Sequence, residues 1–255
     1  MRNNWTREEL ILAFNLYFKI PYGQFNNRSK DVIALGNLIG RSAGAVAFKL
    51  VNFVSLDPFH KSQGRKGATN IGKLDKEIYQ EFRDNWDELI FESEKILAQK
   101  QNKEVEELYP DILRDLSDKK GETRIREVKV RVNQDLFRKI VLTNYSNQCA
   151  ITGIKIPELL IASHIKPWSK DEGQRLNPAN GICLSATFDK AFDKGLITLN
   201  DNLEVLTSKY LKNFSNHSFY EKCFLPFEKK QIILPQKFMP DLDFIKYHND
   251  VIFKK

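Results

Sequence analysis

Two neighbouring stretches decide the fold of the C-terminal half. The first is Leu159-Leu160-Ile161-Ala162-Ser163-His164-Ile165-Lys166-Pro167-Trp168, and the second is Arg175-Leu176-Asn177-Pro178-Ala179-Asn180-Gly181-Ile182-Cys183-Leu184-Ser185-Ala186-Thr187-Phe188-Asp189-Lys190-Ala191-Phe192-Asp193-Lys194-Gly195. An apolar run that ends at Ser163-His164 and is stopped by Pro167 reads as a strand delivering one histidine to the edge of a site. Asn180-Gly181 reads as a turn, Ile182 to Leu184 as a short strand, Ser185 as an N-cap, and 186–194 as a helix closed by Gly195. The order is therefore strand, strand, helix. Phe188 and Phe192 lie four apart and anchor the helix, while Asp189 and Asp193, also four apart, look elsewhere.

Two acids one turn apart repel each other unless a cation lies near. That cation can be a metal ion, or it can be Lys190 and Lys194 on a solvated helix face; the acids alone leave both readings open. A single histidine in a protein is likewise more often structural than chemical. It is the combination of His164, Asn180 and Asp189 that carries information.

That combination resembles the HNH nuclease family, whose core is a ββα-metal fold of two strands and a helix around one divalent ion. His164 ends the first strand, Asn180 precedes the second, and Asp189 stands in the helix where many relatives have His or Asn; Asn180 and Asp189 are nine residues apart, the family's register. The stretch from Val130 through Cys149-Ala150-Ile151-Thr152-Gly153 to Phe192-Asp193-Lys194-Gly195, with Leu225-Pro226-Phe227-Glu228 and Ile233-Leu234-Pro235 in the tail, is similar to a subgroup of bacterial restriction-type endonucleases. The resemblance implies a phosphodiesterase in which His164 and Asn180 are the catalytic pair, His164 as the base for an attacking water and Asn180 as the holder of its loop. It implies one divalent metal ion on Asp189, with Asp193 or Ser163 as a second ligand. Many relatives carry Asp immediately before the histidine, where this chain has Ser163. A carboxylate at Asp189 suits Mg²⁺ or Mn²⁺. Lys166, Arg175 and Lys190 are candidate phosphate clamps or, alternatively, ordinary surface charge.

Some relatives hold a structural zinc with two Cys-x-x-Cys pairs. Here the three cysteines, Cys149, Cys183 and Cys223, form no such pair, and Thr152 stands where a partner of Cys149 would. No structural zinc is expected, and Cys149 and Cys183 read as buried thiols.

Working outward to the N-terminus, Thr6 and Glu9 make a capping-box pair, and Leu10, Phe14, Tyr17 and Phe18 recur at helical spacing up to Pro21. A second helix is expected from about Asp31 to Ile39, with Gly40 turning the chain. A third follows Ser42, with Val46, Leu50 and Phe53 on one side and Ala43, Ala47 and Lys49 facing out. Three helices with a tight turn before the last are either a helix-turn-helix or a plain bundle. Trp5-Thr6-Arg7-Glu8-Glu9 with Leu38-Ile39-Gly40-Arg41-Ser42-Ala43-Gly44-Ala45-Val46 also resembles Myb-like modules. As a DNA reader the unit would use Arg41 and Lys49, followed by Arg65 and Lys66 in the loop from Lys61 to Lys73, which carries four cations and no acid. Residues 74–121, charged and amphipathic around Ile78, Phe82, Trp86, Leu89 and Ile90, read as a helical spacer.

The bulk numbers agree with this plan and exclude other classes. In 255 residues, 42% are hydrophobic and 40 Lys and Arg outweigh 33 Asp and Glu, for a net charge of +7. The apolar content rules out intrinsic disorder, and the surplus charge suits a polyanion. No apolar run approaches the ~18 residues of a membrane span, and the first residues lack a signal-peptide core. The expectation is a cytoplasmic α+β protein. It comprises a helix-turn-helix-like module with its basic loop (1–73), the spacer (74–121) and a ββα-metal HNH nuclease domain with a C-terminal extension (122–255). Its function would be metal-dependent DNA cleavage in restriction or phage defence, with DNA as partner and either a homodimer or two successive nicks behind any double-strand break. An inactive DNA-binding module and an RNA-directed nuclease are the alternatives.

Overall fold

The computed structural model describes residues 4–62, 64, 65, 67–83, 85–111 and 121–255. The chain divides into two compact units, Met1–Ile140 and Val141–Lys255. Each is considered by itself.

The first unit is helical. It comprises α1 (Arg7–Lys19), α2 (Lys30–Ile39), α3 (Ala43–Leu56), the short α4 (Pro58–Ser62), α5 (Lys73–Arg83), α6 (Trp86–Lys100), α7 (Val105–Leu108) and most of α8 (Gly121–Asn144). The expected capping box starts α1: the Thr6 hydroxyl accepts the Glu9 N–H at 3.3 Å, and the Glu9 carboxylate accepts the Thr6 N–H at 2.8 Å. Both satisfy donors that a helix start leaves open. Extended backbone at Ile20, before Pro21, ends the helix. Gly40, at φ +68°, turns α2 into α3, and Ser42 caps α3 by accepting the Ala45 N–H at 3.2 Å.

Helix α1 is central to this unit. Leu10, Ile11, Phe14, Tyr17 and Phe18 are all buried, with Phe14 against Phe53 of α3 at 4.7 Å and against Tyr79 of α5 at 5.6 Å. Phe18 meets Trp86 of α6 at 4.6 Å. Residues 74–100 are therefore not the spacer that their surface charge suggests. They are two amphipathic helices whose apolar stripes close the core around α1, and the division between units falls inside α8 rather than at Gly121. A buried polar contact reinforces this: the Glu94 carboxylate accepts from Asn15 at 2.9 Å and Tyr109 at 2.7 Å and pairs with Lys19. Burial works against its charge, but these donors hold its pKa below the usual carboxylate value.

The second unit is built on two small antiparallel sheets. In the first, β1 (Leu160–His164) pairs with β2 (Gly181–Ser185), setting His164 opposite Gly181 and Ser163 opposite Ile182. Helix α9 (Ala186–Asp193) follows β2 directly and packs on both strands. The expected order of strand, strand and helix is thus present, with Phe188 and Phe192 buried as anchors. Beyond it come the hairpin of β3 (Ile197–Leu199) and β4 (Val205–Thr207), then α10 (Lys209–Lys212), α11 (Ser218–Cys223) and α12 (Leu242–Tyr247).

Gly195 joins α9 to β3 at φ +63°, and a Cβ there would lie 2.0 Å from the Ile252 carbonyl oxygen. Only glycine fits this crossing. His248 seals the same region: buried, it stacks on the Phe192 ring at 3.8 Å and donates from Nε2 to the Phe192 carbonyl at 3.0 Å. Cys149 and Cys183 are buried thiols, and the Cys149 sulfur accepts N–H groups from Thr152 at 3.4 Å and Ser185 at 3.2 Å.

Candidate active site

The site grows out of the end of β1. Pairing continues one step past the strand, with the Ile165 N–H donated to the Asn180 carbonyl at 2.9 Å. The chain then leaves through Pro167 and returns at Arg175. Asn180, fully buried at 0% exposure, closes this loop with its side-chain amide. Its Oδ1 accepts the Lys166 N–H at 2.8 Å, and its Nδ2 donates to the carbonyls of Lys166 at 3.1 Å and Gln174 at 3.4 Å. An amide both accepts and donates, so one side chain satisfies backbone groups at both ends of the loop. Asn180 thus braces the loop that follows His164.

His164 is half-buried at the mouth of that loop. Its Nε2 lies 2.8 Å from the carbonyl oxygen of Arg175, and Trp168 stands edge-on to the ring at 5.4 Å. A carbonyl can only accept, so the proton resides on Nε2 and Nδ1 carries the lone pair. Burial pushes the imidazole pKa below its ordinary value, against the opposing pull of the Arg175 carbonyl and the Asp189 charge. The influence of Asp189 places that carboxylate in the same electrostatic neighbourhood as His164.

Asp189 is half-buried on α9, and Asp193 is one turn further on. Partial loss of water, and then repulsion from Asp189, raises the Asp193 carboxyl; Lys190 and Lys194 oppose the rise. Ser163 is buried at 2% exposure, and its Oγ has no hydrogen-bond partner among the described residues. No group of three or more His, Cys, Asp or Glu residues able to hold a metal occurs among the described residues. A closed protein cage of the zinc type would need such a group. A hydrated hard cation needs less, because it keeps several waters and takes one or two carboxylates plus substrate phosphate. The Asp189 carboxylate and the unsatisfied Ser163 oxygen are hard oxygen donors of the type that second kind of site uses.

Most of the remaining candidates are held in local pairs. Lys166 meets Asp171 at 2.7 Å and lies over the Tyr247 ring at 5.1 Å, while Arg175 meets Glu172 at 3.2 Å and stacks on Trp168 at 5.0 Å. Lys190 is exposed on α9. In the helical unit, Arg41 pairs with Glu9 at 2.8 Å and stacks on Trp5 at 4.7 Å; Lys49 pairs with the buried Asp75 at 2.8 Å and also faces Trp5. Arg65 stacks on Tyr22 at 4.5 Å and reaches His60 Nδ1 at 2.7 Å. Lys66 lies outside the described residues. On α3, Ala47 is buried and Ala43 and Lys49 are half-buried; Gly44 and Phe48 are the residues turned to solvent. Asp171, Gln174 and Trp168 are parts of the site that spacing did not single out, although Pro167-Trp168 at the strand's end was a signal for them.

Comparison with known proteins bears on the same segment. Residues 149–200 match the HNH endonuclease family, a segment containing β1, the braced loop, β2, α9 and β3. Among solved structures, a modification-dependent TagI restriction endonuclease is similar, at 23% identity and a TM-score of 0.28. That match covers 44% of this chain and 35% of the other, so this chain spans about a third of that protein's length. No curated protein matches the chain. No helix among the described residues is long and apolar enough to cross a membrane.

Proposed function

We propose that the second unit is a metal-dependent DNA endonuclease, hydrolysing phosphodiester bonds in the cytoplasm as part of restriction or phage defence. The observation that carries this reading is the hydrogen bond from His164 Nε2–H to the Arg175 carbonyl. It leaves Nδ1 as the basic nitrogen, and burial keeps the ring neutral at pH 7, ready to take a proton from an attacking water. A divalent cation, Mg²⁺ or Mn²⁺, would supply Lewis-acid stabilisation at the scissile phosphate and the leaving oxygen. Asp189 would hold it, with Asp193 or the Ser163 oxygen completing the protein's share.

Asn180 positions His164 by bracing the loop and does not itself meet substrate in this reading. Lys166, Arg175 and Lys190 surround the site as phosphate contacts. The helical unit contributes DNA affinity as a helix-turn-helix-like module through Arg41, Lys49, Arg65 and Lys66. One such site cuts one strand, so a homodimer or two successive events would break a duplex. The deciding experiment is nicking of supercoiled plasmid with Mg²⁺, with and without chelator, by the wild type and His164→Ala. The reading requires that chelation and the substitution each abolish cleavage; nicking that survives both would sink it.

A further inference from the structure

Helix α9 has a second face. Thr187, Lys190, Ala191 and Lys194, at helical spacing on this face, line a cavity of about 530 Å³ closed by residues of α10, α11 and the segment between them. Lys190 leaves the helix about 100° round from Asp189, so the cavity opens beside the acids rather than on them. Its walls are aromatic, and they are not packed away. Tyr210, Phe214 and Phe219 are 51%, 47% and 53% exposed; Tyr210 meets Phe214 edge-on at 5.6 Å and Phe219 meets Phe224 edge-on at 5.8 Å, so each ring still gives about half of its surface to solvent.

The ionic side chains that line the cavity are cationic, with Glu228 behind the wall on the Tyr220 hydroxyl. Two lysines and no carboxylate line the cavity, and Lys254 lies over the Tyr210 ring at 4.9 Å. Soluble surfaces seldom gather large exposed apolar side chains without a partner. Aromatic faces bordered by cations match the two features of single-stranded nucleic acid, a stackable base and a phosphate backbone.

We propose that this pocket receives an unstacked base of the substrate DNA strand, stacked on Tyr210 and Phe219, with Lys190 and Lys194 on the neighbouring phosphates. The inference rests on the nuclease reading for the identity of the strand, since one helix presents Asp189 on one face and the pocket on the next. It implies that the enzyme works best where a base near the cut is unpaired or easily extruded, because unstacking has a cost that a mismatch or gap removes.

The test uses the full chain and a short single-stranded oligodeoxynucleotide carrying one 2-aminopurine, in chelator so that nothing is cut. Binding to the wild type should change the probe's fluorescence through stacking. The Tyr210→Ala/Phe219→Ala double variant should bind about tenfold more weakly and lose that signal. The ring-preserving Tyr210→Phe/Phe219→Tyr variant should keep both, which separates stacking from misfolding. Lys190→Glu should flatten the salt dependence of binding. Unchanged affinity and signal in the alanine double variant would overturn the proposal. So would sedimentation showing a wild-type dimer that this variant dissolves while DNA binding stays the same, since the rings would then be a self-association surface. Plasmid nicking run in parallel separates the two readings. Nicking without pocket-dependent binding overturns the pocket alone, and pocket-dependent binding without nicking overturns the nuclease alone. Absence of both overturns both.

Discussion

His164 and Arg175 stand eleven residues apart and are joined by a 2.8 Å hydrogen bond from the imidazole Nε2–H to the backbone carbonyl oxygen. The bond selects a tautomer, and burial then selects a charge state. Because the His164 pKa is lowered, its basic form persists below the ordinary histidine value of 6.5. The nicking rate at saturating metal should therefore be flat at neutral pH, with an acidic limb centred below that value. A limb above 6.5 would contradict the assignment. His164→Asn should lower the rate about 10²- to 10⁴-fold, the usual loss on removing a general base.

Asn180→Ala removes three side-chain hydrogen bonds, empties a fully buried position and strands the N–H of half-buried Lys166. A loss of about 2 kcal/mol in unfolding free energy is expected. Nicking should fall with it, while Mn²⁺ affinity measured by calorimetry stays close to wild type, because in the proposed reading Asn180 braces the loop after His164 and holds no metal. A large loss of Mn²⁺ affinity would place Asn180 among the ligands instead.

Gly195→Ala would put a methyl group 2.0 Å from the Ile252 carbonyl oxygen while forcing φ +63° on a residue with a Cβ. The backbone conformation alone costs about 1 kcal/mol or more, and the crossing adds to it. The melting temperature should drop by about 4 °C at least. An unchanged value would mean that the crossing opens without cost.

Burial lowers the His248 pKa to about 4, only partly offset by its bond to the Phe192 carbonyl. In the unfolded chain the same group titrates near 6.5. The folded state therefore excludes a proton that the unfolded state binds. The resulting stability is complete above pH 6.5 and is lost as pH falls towards 4, a change of about 3 kcal/mol over that window. Urea titrations at several pH values should show this slope in the wild type and a shallower one in His248→Gln.

Lys49 neutralises Asp75, which is fully buried and also accepts from Asn52 at 2.8 Å. Lys49→Met should cost about 3 kcal/mol by leaving that carboxylate underpaired. If DNA affinity falls only in proportion to the unfolded fraction, Lys49 acts on the fold; if it falls in fully folded protein, Lys49 also contacts DNA.

The parts legible in the sequence are those whose signals are local. Thr6 with Glu9, Gly40, Ser42 and the run from Ser163 to Gly195 each specify a cap, a turn or a strand within a few residues, and the caps, strands and helix lie where they are read; only Asn180-Gly181 differs, since Asn180 ends a 3₁₀ turn begun at Pro178 and Gly181 is already the first residue of β2. The misread part was 74–100. Surface charge dominates its composition, yet Ile78, Phe82, Trp86 and Leu89 are buried. They pack against α1, where Phe18 meets Trp86 and Phe14 meets Tyr79 across more than sixty residues, beyond the reach of any periodicity. The same limit hid His248, whose contacts with Phe192 and Thr198 span more than fifty and exactly fifty residues respectively. The resemblance implies Asn180 as a loop holder but does not say that the loop's cations have partners within the loop.

That last feature governs how DNA would be taken up. Lys166 and Arg175 already have carboxylates beside them, Asp171 at 2.7 Å and Glu172 at 3.2 Å. A phosphate arriving there would displace a tethered anion instead of a mobile salt ion. The cation that the phosphate sheds is then largely offset by one gathered by the freed carboxylate, so these two positions should add little to the salt dependence of binding, while every wrong or loosely seated strand must compete with a carboxylate that never diffuses away. The cleft would then be guarded by its own side chains, and strands that fail to seat would be rejected before they are cut.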